Sequence, residues 1–178
     1  MQNDKSVQRG RGVLAWIDGA ISWLGEASGF LVLPLMAVVV VEVFSRYVLH
    51  SPTMWAWEMS RFFGGSMFVL ALGYIYLRDQ HVRVDILYSR WSPRTRAIIN
   101  VVLVLIIVLP VLIPALRVTY NTAALSWSIK EVSSDSAWRV SVYPFKAIMP
   151  FSMFLLLVSV IVKLIRDLQV VFKGESNA

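Results

Sequence analysis

The sequence predicts an all-α integral membrane protein: four transmembrane helices, preceded by an interfacial amphipathic N-terminal helix. Three observations carry that expectation. First, hydrophobic residues make up 57% of the 178-residue chain and charged residues 16%, against roughly 45–50% and about 25% in soluble domains. A soluble fold of this size must cover its surface with polar groups and cannot absorb the excess. Second, four apolar stretches are long enough to cross a bilayer. Third, Lys and Arg are unevenly shared between the segments that separate those stretches. The absence of cysteine excludes disulfides, iron–sulfur clusters and thiolate metal sites, and two histidines, His50 and His81, leave little for a His-rich metal centre.

Residues 1–12 read as a tail. From 13 to 26, Val13, Leu14, Ile17, Ile21 and Leu24 recur at helical spacing, while Asp18, Ser22 and Glu26 form a polar stripe. That pattern describes a helix lying in the interface or entering it obliquely, with Trp16 and Trp23 suited to headgroup depth. A basic start before an apolar stretch also fits a signal peptide, but the stretch is too long and no small-x-small site closes it. An uncleaved first span is the reading.

The spans are expected at about 27–49, 54–77, 98–116 and 144–164. Ser51-Pro52 and Ser92-Pro93 each offer a hydroxyl N-cap and a proline at the first helical position, and Pro144 opens the fourth span in the same way. Pro34, Pro110, Pro114 and Pro150 fall inside spans, where prolines predict kinks. The segment from about Arg117 to Tyr143 reads as the largest loop on the far side, and 168–178 as a tail. Eleven Lys and Arg lie in the N-terminus, the 78–96 connection and the tail; five lie on the other side, and Arg61 is within a span. The positive-inside rule therefore puts both termini in the cytoplasm. The net charge of +6 is a topology signal, and no arginine-rich soluble face supports nucleic-acid binding.

Charges within spans are costly and mark function by default. Glu42 and Arg46 sit four apart in the favourable helical order, and Glu58 and Arg61 sit three apart on the next helix. A short hairpin brings both pairs to the same membrane face, so they read either as one small polar network, contacting a neighbouring subunit or a lipid headgroup, or as local ion pairs snorkelling to the interface. Ser60, Gly64, Gly65, Ser66, Ala71 and Gly73 predict a close-packed face on the second span, and Gly25 and Gly29 repeat the spacing more weakly. In the 78–96 connection His81 and Asp85 are four apart. The pair invites general-base chemistry but has no nucleophile motif or metal-ligand set beside it, which favours a structural clamp. Trp127, Lys130, Glu131 and Trp138 are candidates for docking a partner on the far side, or for an interfacial belt with a solvated turn. No catalytic residue, cofactor site or metal site is expected.

Taken together, Arg46-Tyr47-Val48, Trp57-Glu58-x-x-Arg61, Gly65 and Arg78-x-x-His81-Val82-x-Val84-Asp85 resemble the small (DctQ-type) membrane subunit of tripartite ATP-independent periplasmic (TRAP) transporters, over essentially the whole chain. Glu131-Val132-Ser133-Ser134 leading to Pro144-Phe145-Lys146-Ala147-Ile148-Met149-Pro150 looks like members serving small organic acids. Met59 stands after Glu58 where many relatives carry a second acidic residue. The resemblance implies a bacterial inner-membrane complex. In it a periplasmic substrate-binding protein captures an organic anion, and a large multi-span permease subunit moves the anion, elevator-fashion, with sodium. The small, non-catalytic subunit packs on the large one as stationary scaffold, in contact with membrane lipid. Glu42, Arg46, Trp57, Glu58, Arg61, Gly65, His81 and Asp85 would then form the subunit interface or a structural polar network. The rival reading is an autonomous four-helix, proton-coupled exporter of the small multidrug type using Glu42. Against it, Arg46 one turn away would hold Glu42 ionised.

Overall fold

The computed structural model describes residues 3–78 and 92–173; His81 and Asp85 lie outside the described residues. The described elements are helices: α1 (Asn3–Gly29), α2 (Val32–Tyr47), α3 (Ala56–Leu77), α4 (Pro93–Leu103), a π-helical segment (Val104–Val108), α5 (Leu109–Ser128) and α6 (Tyr143–Lys173). Four runs are long and apolar enough to cross a membrane, Trp16–Tyr47, Ala56–Leu77, Arg94–Ser128 and Tyr143–Phe172. The chain is an all-α membrane protein with the four spans that its composition requires.

Three boundaries differ from the sequence expectation. The helix foreseen from 13 begins at Asn3 and runs to Gly29, so the break with α2 falls at Phe30–Leu31. Pro34 places it there. A proline has no amide hydrogen for the carbonyl four residues back, and the Phe30 carbonyl accepts from the Leu33 amide instead, at 3.1 Å. The third helical run continues to Ser128, so Arg117 to Ser128 is helix rather than loop. Thr119, Tyr120, Asn121 and Thr122 lower the hydropathy without breaking the helix. The Thr119 and Thr122 hydroxyls donate back to the Ala115 and Val118 carbonyls, at 2.8 and 2.9 Å. The last helix passes the expected end at 164 and reaches Lys173.

The expected kink at Pro110 takes the form of the π segment, whose widened turn ends with the Leu109 amide on the Val104 carbonyl, just before the residue that cannot donate. The expected cap at Ser92 is present: its hydroxyl accepts from the Thr95 amide at 3.2 Å, with Pro93 in the first turn. The matching cap at Ser51 is absent, because α3 starts at Ala56 and Ser51 belongs to the chain reversal.

α3 and α6 form the centre of the bundle. They run in the same direction: Phe62 stacks on Phe145 with centroids 3.8 Å apart, and farther along a Cβ on Gly73 would meet Ser159 Oγ at 3.2 Å. α5 runs antiparallel to α6, with Trp127 edge-on to Tyr143. Val104, Leu112 and Val160 make the buried apolar core between them. We call the end bearing the 129–142 segment the loop face and the opposite end the terminal face.

α1 crosses the terminal face. Asp18 is ion-paired with Arg166 of α6, Glu26 lies 3.5 Å from Arg78 at the end of α3, and Gly25 lies against Tyr74. Ile21, Gly25 and Ser28 are buried, whereas Trp16 and Trp23 are exposed. The polar stripe of α1 is therefore turned towards the bundle and its tryptophans away from it. This arrangement suits apolar surroundings, where polar groups find partners only in protein.

Candidate functional site

The residues singled out in the second half of the first span and the start of the second gather at the loop face, where they form two separate polar groups. Glu42 and Arg46 belong to the last turns of α2. Arg46 Nε donates to Glu42 Oε1 at 3.0 Å, joined by Nη2 on the same oxygen. The other carboxylate oxygen, Oε2, accepts from the Thr53 amide at 3.0 Å and from the Thr53 hydroxyl. Glu42 thus closes the reversal between α2 and α3 across eleven residues. His50 takes a left-handed conformation inside that reversal, φ 50°, one that His tolerates better than most residues.

The second group is built from α3 and the 129–142 segment. That segment is a small hairpin: Val132 and Ser141 form an antiparallel bridge, the Ser133 amide donates to the Val140 carbonyl at 2.8 Å, and the Val142 amide donates to the Glu131 carbonyl at 3.1 Å. The left-handed Lys130, φ 49°, turns the chain into it, and Arg139, also φ 49°, lies in its loop just before the returning strand. The fold brings Ser133 over Glu58, a carboxylate in the first turn of α3 that is only 2% exposed. Ser133 Oγ donates to Glu58 Oε1 at 2.7 Å and accepts from the Asp135 amide at 3.1 Å. Glu58 Oε2 is buried without a protein partner. Beside it Arg61 forms an exposed ion pair with Asp135.

Lys146 of α6 holds the base of the hairpin, its Nζ donating to both Glu131 oxygens at 2.6 Å. The Lys146 ammonium keeps the Glu131 carboxyl below its ordinary range.

Among the described residues no hydrogen bond joins the Glu42 group to the Glu58 group, so of the two readings that the sequence leaves open, the one small network is not formed. Glu58 and Arg61 also do not pair with each other; each reaches the hairpin instead. A three-residue helical offset allows an ion pair but does not compel one, and hairpin partners more than seventy residues away are invisible to local spacing. Ser133 and Asp135, which complete the group, carry no local spacing that points to α3.

Three of the motif residues meet on the outside of α3. Trp57, Arg61 and Gly65 are exposed and, with Phe68, form a continuous stripe at helical spacing. Nothing lies within 4 Å of a Cβ built on Gly65. The packed small residues are instead Ser66 and Gly73. Of the loop candidates, Glu131 is the hairpin's base, Trp127 contacts Tyr143, and Lys130 and Trp138 are exposed.

Comparison with curated proteins finds no match. A family model described as tripartite ATP-independent periplasmic transporters, DctQ component, matches residues 35–170, well over half of the chain.

Proposed function

The chain belongs to the DctQ family of tripartite ATP-independent periplasmic transporter components, and from that membership we propose that it is the non-catalytic scaffold of a sodium-coupled importer of an organic anion such as a carboxylate. The family works in a tripartite complex with a large permease and a periplasmic binding protein. In our reading this subunit packs on the permease, broadens its stationary part in the bacterial inner membrane and helps to dock the binding protein through the 129–142 hairpin. Both termini are cytoplasmic and the loop face is periplasmic, in accord with the Lys and Arg asymmetry.

The observation that carries the scaffold role is the state of the two carboxylates in the α2 and α3 spans. Glu42 is occupied on both oxygens by Arg46 and Thr53. Glu58 is enclosed beneath Ser133. A coupling acid must bind and release its ion or proton through solvent-connected states; these two acids join chain segments instead. The same observation weighs against the exporter reading, which needs Glu42 to be free to exchange a proton.

The test is uptake of a radiolabelled organic acid into proteoliposomes under an inward sodium gradient. The chain is reconstituted with the permease and binding protein encoded beside it. Uptake that needs all three proteins, with no flux from this chain alone, is the expected result. Proton-driven drug efflux by this chain alone, abolished in Glu42→Gln, would overturn the proposal.

A further inference from the structure

The helical extension of α5 exposes an arginine in an unexpected place. Arg117 lines an open groove of about 910 Å³ between α5 and α6, together with Leu116, Tyr120, Phe151 and Phe154. Ala123, Ala124 and Ala147 floor part of it, which lets another backbone approach closely. Arg117 is exposed and makes no hydrogen bond or ion pair with any described residue.

Its depth narrows what can neutralise it. Trp127 and Tyr143 meet edge-on where α5 ends and α6 begins, and aromatic residues of this kind lie at headgroup level. Arg117 is ten residues back along α5, about 15 Å at 1.5 Å per residue, and shares the groove with Phe154, well inside the apolar run of α6. A cation at that depth needs a partner. A lipid phosphate stays at the headgroup level, farther away than an arginine side chain extends. A second copy of this chain offers no carboxylate at that level: Glu42 is paired internally, Glu58 is enclosed at the loop face, and the other described acids lie in α1, the hairpin or the end of α6.

We propose that the α5–α6 groove receives a transmembrane helix of the large permease subunit, and that a carboxylate on this helix pairs with Arg117. The inference rests on the scaffold reading and specifies the surface through which it operates. An apolar trough with small residues on its floor supplies the close packing. The desolvated pair supplies register, because sliding the partner helix by one turn leaves both charges unmatched.

The experiment uses the complex of the tagged chain with its co-expressed permease. A photo-crosslinking residue, p-benzoylphenylalanine, replaces the exposed Tyr120, and the product is mapped by mass spectrometry. The expected adduct is to one permease helix carrying Asp or Glu. Arg117→Glu is expected to lower the permease recovered with the tag by about tenfold or more, Arg117→Lys to retain most of it, and reversal of the partner carboxylate to a cation to restore recovery in Arg117→Glu. Adducts confined to lipid or to a second copy of the chain would overturn the proposal, as would undiminished recovery in Arg117→Glu. In either case an intact wild-type complex would leave the scaffold reading standing, whereas failure of the wild-type chain to retain the permease would remove both.

Discussion

Ser133 Oγ donates to Glu58 Oε1 at 2.7 Å across a sequence separation of 75 residues. This bond fastens the 129–142 hairpin to the start of α3 and makes a buried carboxylate part of the loop-face architecture. Glu58→Ala leaves Ser133 without its acceptor and a void beneath the hairpin, and is expected to cost about 2 kcal/mol or more. Glu58→Gln keeps an oxygen facing Ser133 and is expected to stay within about 1 kcal/mol of the parent. Thermal unfolding of the purified transporter complex distinguishes them, and equal loss in the two variants would contradict the role assigned to that oxygen.

The Glu42 group makes a separate claim, because its two sides differ in solvent access. Arg46 is largely exposed, so water screens the ion pair and it contributes little to stability. Thr53 contributes an amide and a hydroxyl to a part-buried oxygen. Thr53→Val is therefore expected to cost about 1 kcal/mol and to hasten proteolysis in the 48–55 reversal. Sodium-to-substrate stoichiometry should not move in either Thr53→Val or Glu42→Gln. A changed stoichiometry would place Glu42 in the transport path.

The hairpin should loosen in acid. Because the folded-state pKa of Glu131 lies below its ordinary 4.5, the contribution of the Lys146 pair is complete above that value and disappears as pH falls through the lower folded value. An environment-sensitive dye on Ser134→Cys, specific because the chain has no cysteine, should report a transition below pH 4.5 in the complex. Adding Lys146→Met should abolish that transition or shift it upward. A dye signal indifferent to Lys146 would count against the assignment.

Two glycines with the same sequence spacing should behave differently. A Cβ on Gly25 would lie 2.2 Å from Tyr74 Cβ, an atom with no freedom to swing aside, whereas Gly29 has nothing within 4 Å. Gly25→Ala is expected to push α1 off α3 at a cost of about 1–3 kcal/mol, and Gly29→Ala to be tolerated. Chemical denaturation of the two variants, with Trp fluorescence as the readout, decides between them.

The proposed orientation is open to direct labelling. Ser134→Cys in intact cells should react with an impermeant maleimide, while Phe172→Cys should react only after permeabilisation. The reverse pattern would invert the assignment of both faces.

Much of this architecture was legible in the chain. Apolar runs of about twenty residues announce membrane helices because the bilayer imposes length and polarity together. The cap at Ser92 follows from a local hydroxyl placed where a helix N-terminus needs an acceptor, whereas the place of the break at Phe30–Leu31 does not follow from the expected kink at Pro34 by itself. The 117–128 helix was hidden because hydropathy stops at Arg117, whereas helix formation depends on backbone bonding and continues through polar residues. The α1 stripe was visible as a stripe, but its facing was not: periodicity says which residues share a side and does not say what that side meets.

The sequence by itself determined the class of the protein, its four crossings and, through the motif that includes Trp57, Glu58 and Arg61, its family, since these rest on composition and short spacings. Only the tertiary structure decided which polar groups meet. Glu58 takes Ser133, Arg61 takes Asp135, Glu42 takes Thr53, and Arg117 is left facing outward from an apolar groove. The physical reason is that a charge in low-dielectric surroundings must be satisfied by whatever group the folded chain brings within hydrogen-bonding distance. That choice depends on helix register and loop conformation over separations of up to seventy-five residues, which no local pattern encodes.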